Sequence, residues 1–178
     1  KLPVKAIAWG GRQRRNTGDQ YDFFSVEYIY DNGIQTHGAT RQINGCTYLK
    51  RELIIDTKGI ANCSGIIYDL KGNEVWKYPY PKEGDTDLKW KVTNPYVQEH
   101  INLVTAIRTG NVINDGETLI NSTLLTIMSR MSAYTGKDVT WEEVLNSELS
   151  LGPKTYEFGP VPGIPEEPPV IGVELIPV

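Results

Sequence analysis

The spacing of hydrophobic residues changes from a period of two to a helical period near residue 94, and no other feature limits the possible folds as strongly. Before that point, short runs alternate between apolar and polar side chains, as half-buried strands do. After it, apolar residues recur at helical spacing at Val97, Ile101, Val104 and Ile107. Strands followed by helices are typical of the α+β class. We therefore expect an open, mostly antiparallel β-sheet of about six strands with helices packed on one of its faces.

The clearest local signal is a hairpin in the first third of the chain. Residues 21–30 alternate in polarity and predict a strand whose even-numbered positions share one apolar face. Asn32-Gly33 follows, and such a pair accepts the positive φ angles of a tight turn. Residues 34–42 are therefore predicted to return antiparallel, and later glycine-containing turns continue the meander to residue 78.

The predicted helices are bounded by residues typical of helix ends. The first begins at Asn94 and ends at Gly110, the second runs from about Asp115 to Gly136, and the third opens on the capping box of Thr140 and Glu143. Beyond residue 151 lie 7 of the 11 prolines, which predicts an extended tail. The sequence thus divides into an α+β domain over residues 1–151 and an extended Pro-rich tail over residues 152–178.

Composition argues against several classes of protein. Lys and Arg number 18 against 22 Asp and Glu, so the chain has no overall positive field to attract nucleic acid. No apolar run reaches the length of a membrane-spanning helix. The chain begins at Lys1 without Met, which we interpret as a fragment of a longer protein. Any export signal would precede Lys1, so the compartment stays open.

Local motifs for catalysis are missing from the sequence. The G-x-G-x-x-G, Walker, G-x-S-x-G and H-E-x-x-H patterns do not occur. His37 and His100 have no His or Cys neighbour at metal-binding spacing. Cys46 and Cys63 lack a C-x-x-C pattern, and whether they pair stays open. We predict no catalytic, cofactor-binding or metal-binding residue in this chain.

A run of arginines follows the first predicted strand. Gly10 and Gly11 allow close approach of the backbone to a ligand. Arg12 and Arg15 offer planar guanidinium forks that suit phosphate or carboxylate, and Gln13 lies between them. A solvated basic loop is the alternative interpretation. Arg12, Gln13 and Arg15 are therefore candidates for substrate binding.

Other polar candidates lie on the return strand of the hairpin and on the first helix. His37 and Arg41 share one face of that strand, and Gln42 follows at its end. A polar sheet face is a platform for hydrogen-bonding ligands, although an ordinary solvent face has the same composition. His100, near the start of the first helix, is in position to point into a cleft. These four residues complete the set of predicted substrate-binding residues.

Longer runs of sequence carry a resemblance to a known family. The runs are Asn94-Pro95-Tyr96-Val97-Gln98-Glu99-His100, Ala106 to Gly110, Ile127 to Met131, Ala133 to Lys137, Val139 to Glu142 and Leu145 to Ser147, with Gly10 to Gln13 and Arg41 to Gly45 upstream. In this order they resemble the C-terminal domain of Gfo/Idh/MocA-type oxidoreductases, especially the branch abundant in Bacteroidetes.

The resemblance implies a parent enzyme with an N-terminal Rossmann domain that binds NAD or NADP. It implies that the present domain shapes the pocket for a sugar or sugar derivative, with the loop 10–15 and Arg41-Gln42 approaching the substrate. The half that carries the family's proton-transfer residues is absent, so the chain alone is expected to be inactive. The expected partners are the missing Rossmann domain, a second copy bound through the sheet face and a sugar-like small molecule.

Two alternatives to this function stay open. A subgroup of the same family uses NAD to cleave glycosides, so the parent is either an oxidoreductase or a glycoside hydrolase. The second alternative is that the chain is a free-standing carbohydrate-binding or scaffold module. The residue that senses the ribose 2′ position would lie in the absent half, so the sequence does not distinguish NAD from NADP.

Overall fold

The described residues form two four-stranded antiparallel sheets. The computed structural model describes residues 1–16, 18–48, 52–82, 94–153, 155–160, 162 and 167–172. Contacts divide the chain into a first unit, Lys1–Cys46 with Asp115–Val178, and a second unit, Thr47–Asn114. The predicted α+β class, with antiparallel strands and helices, is confirmed.

The described strands and helices follow one another in the predicted general order, strands first. In chain order they are β1 (Lys5–Gly11), β2 (Phe23–Ile29), β3 (Gln35–Arg41), β4 (Leu53–Asp56), β5 (Gly59–Asn62), β6 (Ile66–Asp69), β7 (Glu74–Lys77), α1 (Pro95–Thr109), α2 (Gly116–Thr135), β8 (Val139–Thr140) and α3 (Trp141–Leu145). The expectation of about six strands in one sheet is wrong. Strands β4 to β7 pair only with one another, and β8 is too short to show a period of two.

The first unit contains the sheet β3-β2-β1-β8 and the predicted hairpin. Gly33 has a φ of 81° in the turn between β2 and β3, as the Asn-Gly pair predicted. Partners across antiparallel strands share a face. Ala8 pairs with Val26, and both are buried on what we call the inner face of this sheet. His37 pairs with Glu27 on the opposite, outer face.

The C-terminal half of α2 packs on the inner face and forms the core of the first unit. Ala6 and Ala8 on β1 have short side chains, which allow the helix to lie close to the strand. Met128 is fully buried there, and burial of such a side chain contributes about 2 kcal/mol. The buried Ser132 hydroxyl accepts a hydrogen bond from the amide of Ala8 at 2.8 Å, so helix and strand are also joined by a polar contact.

The helix ends predicted from the sequence are confirmed. The Asn94 side chain accepts a hydrogen bond from the amide of Tyr96, and Gly110 ends α1 in the left-handed conformation. Gly136 ends α2 in the same way. Thr140 and Glu143 form the predicted reciprocal capping box of α3. In the second unit, β4 to β7 form a simple meander, and α1 has no buried residue.

Parts of the Pro-rich tail lie against the first unit. Of the predicted tail over residues 152–178, residues 154, 161, 163–166 and 173–178 lie outside the described residues, and the described ones form neither helix nor strand. The Glu167 carboxylate forms an ion pair with Arg12. The side chain of Ile171 lies beside Gly136, so closely that a Cβ atom at position 136 would be 2.5 Å from it. The tail therefore contacts its own chain at two separate places.

Candidate functional site

A buried carboxylate organises the arginine-containing loop between β1 and β2. Asp22 is only 4% exposed. Its carboxylate accepts hydrogen bonds from the amides of Gln13 at 3.0 Å, Arg14 at 2.7 Å and Arg15 at 3.1 Å. Burial by itself would raise the pKa of Asp22, but these amides outweigh it and lower the pKa below the ordinary 3.8. Asp22 is thus an anion whose role is to hold the loop backbone.

The other end of the loop is fixed to α2 by Tyr134. Its hydroxyl accepts a hydrogen bond from the buried amide of Tyr21 at 3.0 Å and donates one to the carbonyl of Asp19 at 2.8 Å. The rings of Tyr21 and Tyr134 stack with centroids 4.1 Å apart. Burial raises the pKa of both tyrosines above 10.0, so both hydroxyls are protonated at neutral pH.

Arg130 of α2 adds a charged contact to the same anchor. Its guanidinium lies over the Tyr134 ring, 4.2 Å from the centroid, and is 3.3 Å from the Asp19 carboxylate. A guanidinium in this position is attracted both by the face of the aromatic ring and by the carboxylate. The loop is therefore held by Asp22 at residues 13–15 and by Tyr134 and Arg130 at residues 19–21.

The arginine side chains of the loop are partly used by the loop itself. Arg12 donates to the carbonyl of Gly18 at 2.7 Å, and Arg15 donates to the side-chain carbonyl of Gln20 at 3.1 Å. The Arg12 side chain is 14% exposed and also pairs with Glu167. The Nε atom of Arg15 is buried and has no hydrogen-bond partner among the described residues. A buried donor without an acceptor is rare and is usually explained by a ligand, an ion or a water.

Strand register brings two further candidates to the same end of the sheet. Gly11, Phe23 and Arg41 are paired in one row across β1, β2 and β3. The amide of Gln42 donates to the carbonyl of Asp22 at 2.8 Å. Neighbouring strands are about 4.8 Å apart, so this row spans about 10 Å. We call this end of the first sheet the loop end. Five of the seven predicted residues lie at the loop end: Arg12, Gln13, Arg15, Arg41 and Gln42.

The two histidines of the predicted set lie elsewhere. His37 is four residues before Arg41 on β3, which corresponds to about 13 Å along the strand. Its Nδ1 atom is 2.6 Å from the Glu27 carboxylate, so it already has a partner on the outer face. His100 belongs to α1 in the second unit, where its Nδ1 lies 2.6 Å from the carbonyl of Tyr96. His37 therefore lies outside the group at the loop end, and His100 belongs to the other unit.

Sequence reasoning missed several residues that shape the loop end. Trp9 is on the outer face one row from Gly11 and is 55% exposed. The Phe23 ring covers Gly11, where a Cβ atom would be 2.9 Å from ring carbon Cζ. Asp22, Arg130 and Tyr134 hold the loop through the hydrogen bonds and the ion pair described above. A charged Arg130 between the apolar residues Met128 and Met131 was the one sequence signal available for this anchor.

The described residues lack the features that a metal site or a membrane-spanning helix requires. They contain no group of three His, Cys, Asp or Glu side chains able to hold a metal ion, and both Cys46 and Cys63 are free and exposed. Every strand pair within them is antiparallel, whereas the Rossmann dinucleotide crevice is built on parallel strands. None of the described helices combines the length and apolar character that crossing a bilayer requires.

The chain was also compared with known proteins. No family model, no curated protein and no solved structure matches it.

Proposed function

We propose that the first unit binds a sugar or sugar derivative and serves as the substrate-binding domain of an NAD(P)-dependent oxidoreductase. The observation that carries the proposal is the group of polar side chains at the loop end, held by the buried Asp22 carboxylate. A sugar is recognised by several hydrogen-bonding groups in fixed positions, because each hydroxyl needs a partner when it loses water. Anchoring at both ends of the loop supplies that fixed geometry.

The apolar surface beside the loop also suits a sugar. Trp9 and Phe23 expose parts of their rings on the outer face, one row apart, and Arg41 lies in the row of Phe23. A pyranose ring has an apolar face of C–H groups that packs on such rings while its hydroxyls reach neighbouring polar side chains. Aromatic surface next to guanidinium and amide groups is therefore the chemistry that a sugar requires.

The carboxylates at the loop end indicate binding rather than catalysis by this chain alone. A general base must have a carboxylate that reaches the substrate proton. Asp22 instead accepts three backbone amides and is buried, and Asp19 pairs with Arg130. In this proposal, the proton-transfer groups and NAD or NADP belong to a separate Rossmann domain of the parent protein. The resemblance of the sequence to the Gfo/Idh/MocA family supports that arrangement.

The half of the outer face far from the loop is proposed as the surface that binds a second copy of the chain. Ile7 and Ile29 are partly exposed there, and in the first unit the helix α2 packs on the inner face. We expect light scattering to show a dimer for the native chain and a monomer for Ile29→Lys. A native chain that is monomeric at 100 μM would contradict this part of the proposal.

Sugar binding is tested by calorimetric titration of the chain with glucose and N-acetylglucosamine. We expect saturable binding with a Kd in the millimolar range, at least tenfold weaker in Trp9→Ala and in Arg41→Ala. Arg108→Ala, which removes the same charge from α1 of the second unit, is the matched control and should bind as the native chain does. Saturable binding that none of the loop-end variants weakens would overturn the assignment of the site.

An oxidoreductase and an NAD-dependent glycoside hydrolase would yield different products from the parent protein. An oxidoreductase releases an oxidised sugar and reduced cofactor, whereas an NAD-dependent glycoside hydrolase releases the aglycone with no net reduction of NAD. Product analysis on the full-length protein distinguishes them. A gene that encodes no Rossmann domain would instead favour a free-standing carbohydrate-binding module.

A further inference from the structure

The Arg12 guanidinium has an acceptor that comes from a distant part of the chain. Its ion-pair partner is the carboxylate of Glu167 in the Pro-rich tail. The Arg12 side chain is 14% exposed, whereas that of Glu167 is 76% exposed. A carboxylate from the tail thus reaches an enclosed cation from the solvent side. Because the Glu167 carboxylate is mostly exposed, water and dissolved anions compete with it for Arg12, so this partner can be exchanged for another anion.

A second donor in the same loop lacks a partner within the described part of the chain. The buried Nε atom of Arg15 is unsatisfied among the described residues. An unsatisfied buried donor is costly and is usually explained by a ligand, an ion or a water. The Gly18 carbonyl already accepts from Arg12, and the Gln20 side chain accepts from the Nη1 atom of Arg15. An additional anionic acceptor would therefore suit this place.

We propose that Arg12 and Arg15 bind the carboxylate of a sugar acid such as a uronic acid, and that Glu167 occupies the same position until the sugar acid displaces it. This inference rests on the proposed function, since it assigns the substrate class of that site. The ligand group is assigned as a carboxylate because the internal occupant is one, and a planar carboxylate matches the guanidinium fork. Glu167 is then an internal competitor that the substrate carboxylate displaces from Arg12.

The substrate class is tested by calorimetric titration of the chain with glucuronate, glucose and glucose 6-phosphate at low ionic strength. We expect glucuronate to bind at least tenfold more tightly than glucose. Arg12→Ala and Arg12→Lys should both lose this preference, since lysine keeps the charge but not the fork. Arg14→Ala removes an equal charge from an exposed side chain of the same loop and should keep the preference within twofold. Thermal melting shows whether each variant is folded.

The displacement of Glu167 is tested separately. Glu167→Gln should tighten glucuronate binding about threefold and leave glucose binding unchanged, because it removes only the competing anion. Glu157→Gln, an exposed carboxylate of the same tail, should change neither value. An unchanged affinity for glucuronate in Glu167→Gln would overturn the role of the tail.

The remaining outcomes separate this inference from the proposed function. Equal binding of glucuronate and glucose would overturn the sugar-acid assignment and leave the proposed function standing. Tightest binding of glucose 6-phosphate would replace the carboxylate by a phosphate and overturn the assignment. Failure of all three sugars to bind would overturn both proposals.

Discussion

The substitution Tyr134→Phe tests whether α2 holds the candidate site in place. It removes one hydroxyl and preserves the ring that stacks on Tyr21. The buried amide of Tyr21 then loses its acceptor, and the carbonyl of Asp19 loses its donor. A buried amide without a partner costs about 1 to 3 kcal/mol, whereas a carbonyl nearer the surface is rehydrated at about 0.5 kcal/mol.

The expected loss of unfolding free energy is therefore about 2 kcal/mol. In a domain of this size, that corresponds to a fall in Tm of about 8 °C. Urea unfolding followed by circular dichroism measures the loss, and hydrogen exchange at Tyr21 localises it. Tyr156→Phe deletes the same atom from a side chain that is 88% exposed and should leave the stability unchanged. If Tyr134→Phe were as stable as Tyr156→Phe, the hydroxyl would not anchor the loop and the reasoning would be refuted.

Two further predictions concern Asp22 and the cap of α3. Because the pKa of Asp22 is lowered in the native state, the unfolded chain binds a proton first as the pH falls below 3.8, and the free energy of unfolding declines there. Asp22→Asn should be less stable than the native chain at pH 6 and should lose less stability by pH 3, measured as urea midpoints. An equal decline in both proteins would contradict this. Thr140→Ala breaks the capping box and should lower the free energy of unfolding by about 1 kcal/mol, measured by urea unfolding. Thr123→Ala, on an exposed turn of α2, should change it by less than about 0.5 kcal/mol. Equal effects would refute the role of the cap.

Local features of the fold were predictable because their physical causes are local. The turn at Asn32-Gly33 requires only a glycine that accepts positive φ at position 33, and the ends of the helices require only a capping side chain or a glycine. Strand β8, by contrast, was not predictable, because two residues are too few to show a period of two. It forms because its backbone pairs with the edge of β1, which is distant along the chain.

The candidate site was predictable only in part, for the same reason. Arg12 and Arg41 stand out in the sequence by type and position, and strand register brings them to one end of the sheet. His37 was placed in the same group because it shares a face with Arg41, but distance along the strand separates them. Trp9 was overlooked because an aromatic residue in a strand is equally typical of a buried core.

The sequence by itself determined the class of the fold, the hairpin, the ends of the helices and the types of side chain available for binding. These depend on interactions between residues close along the chain. Only the tertiary structure decided that the strands form two sheets, that the Asp22 carboxylate holds the loop and that Tyr134 and Arg130 of α2 fix its other end. These contacts join residues up to 115 positions apart, and their partners are chosen by packing, which leaves no periodic signal in the sequence.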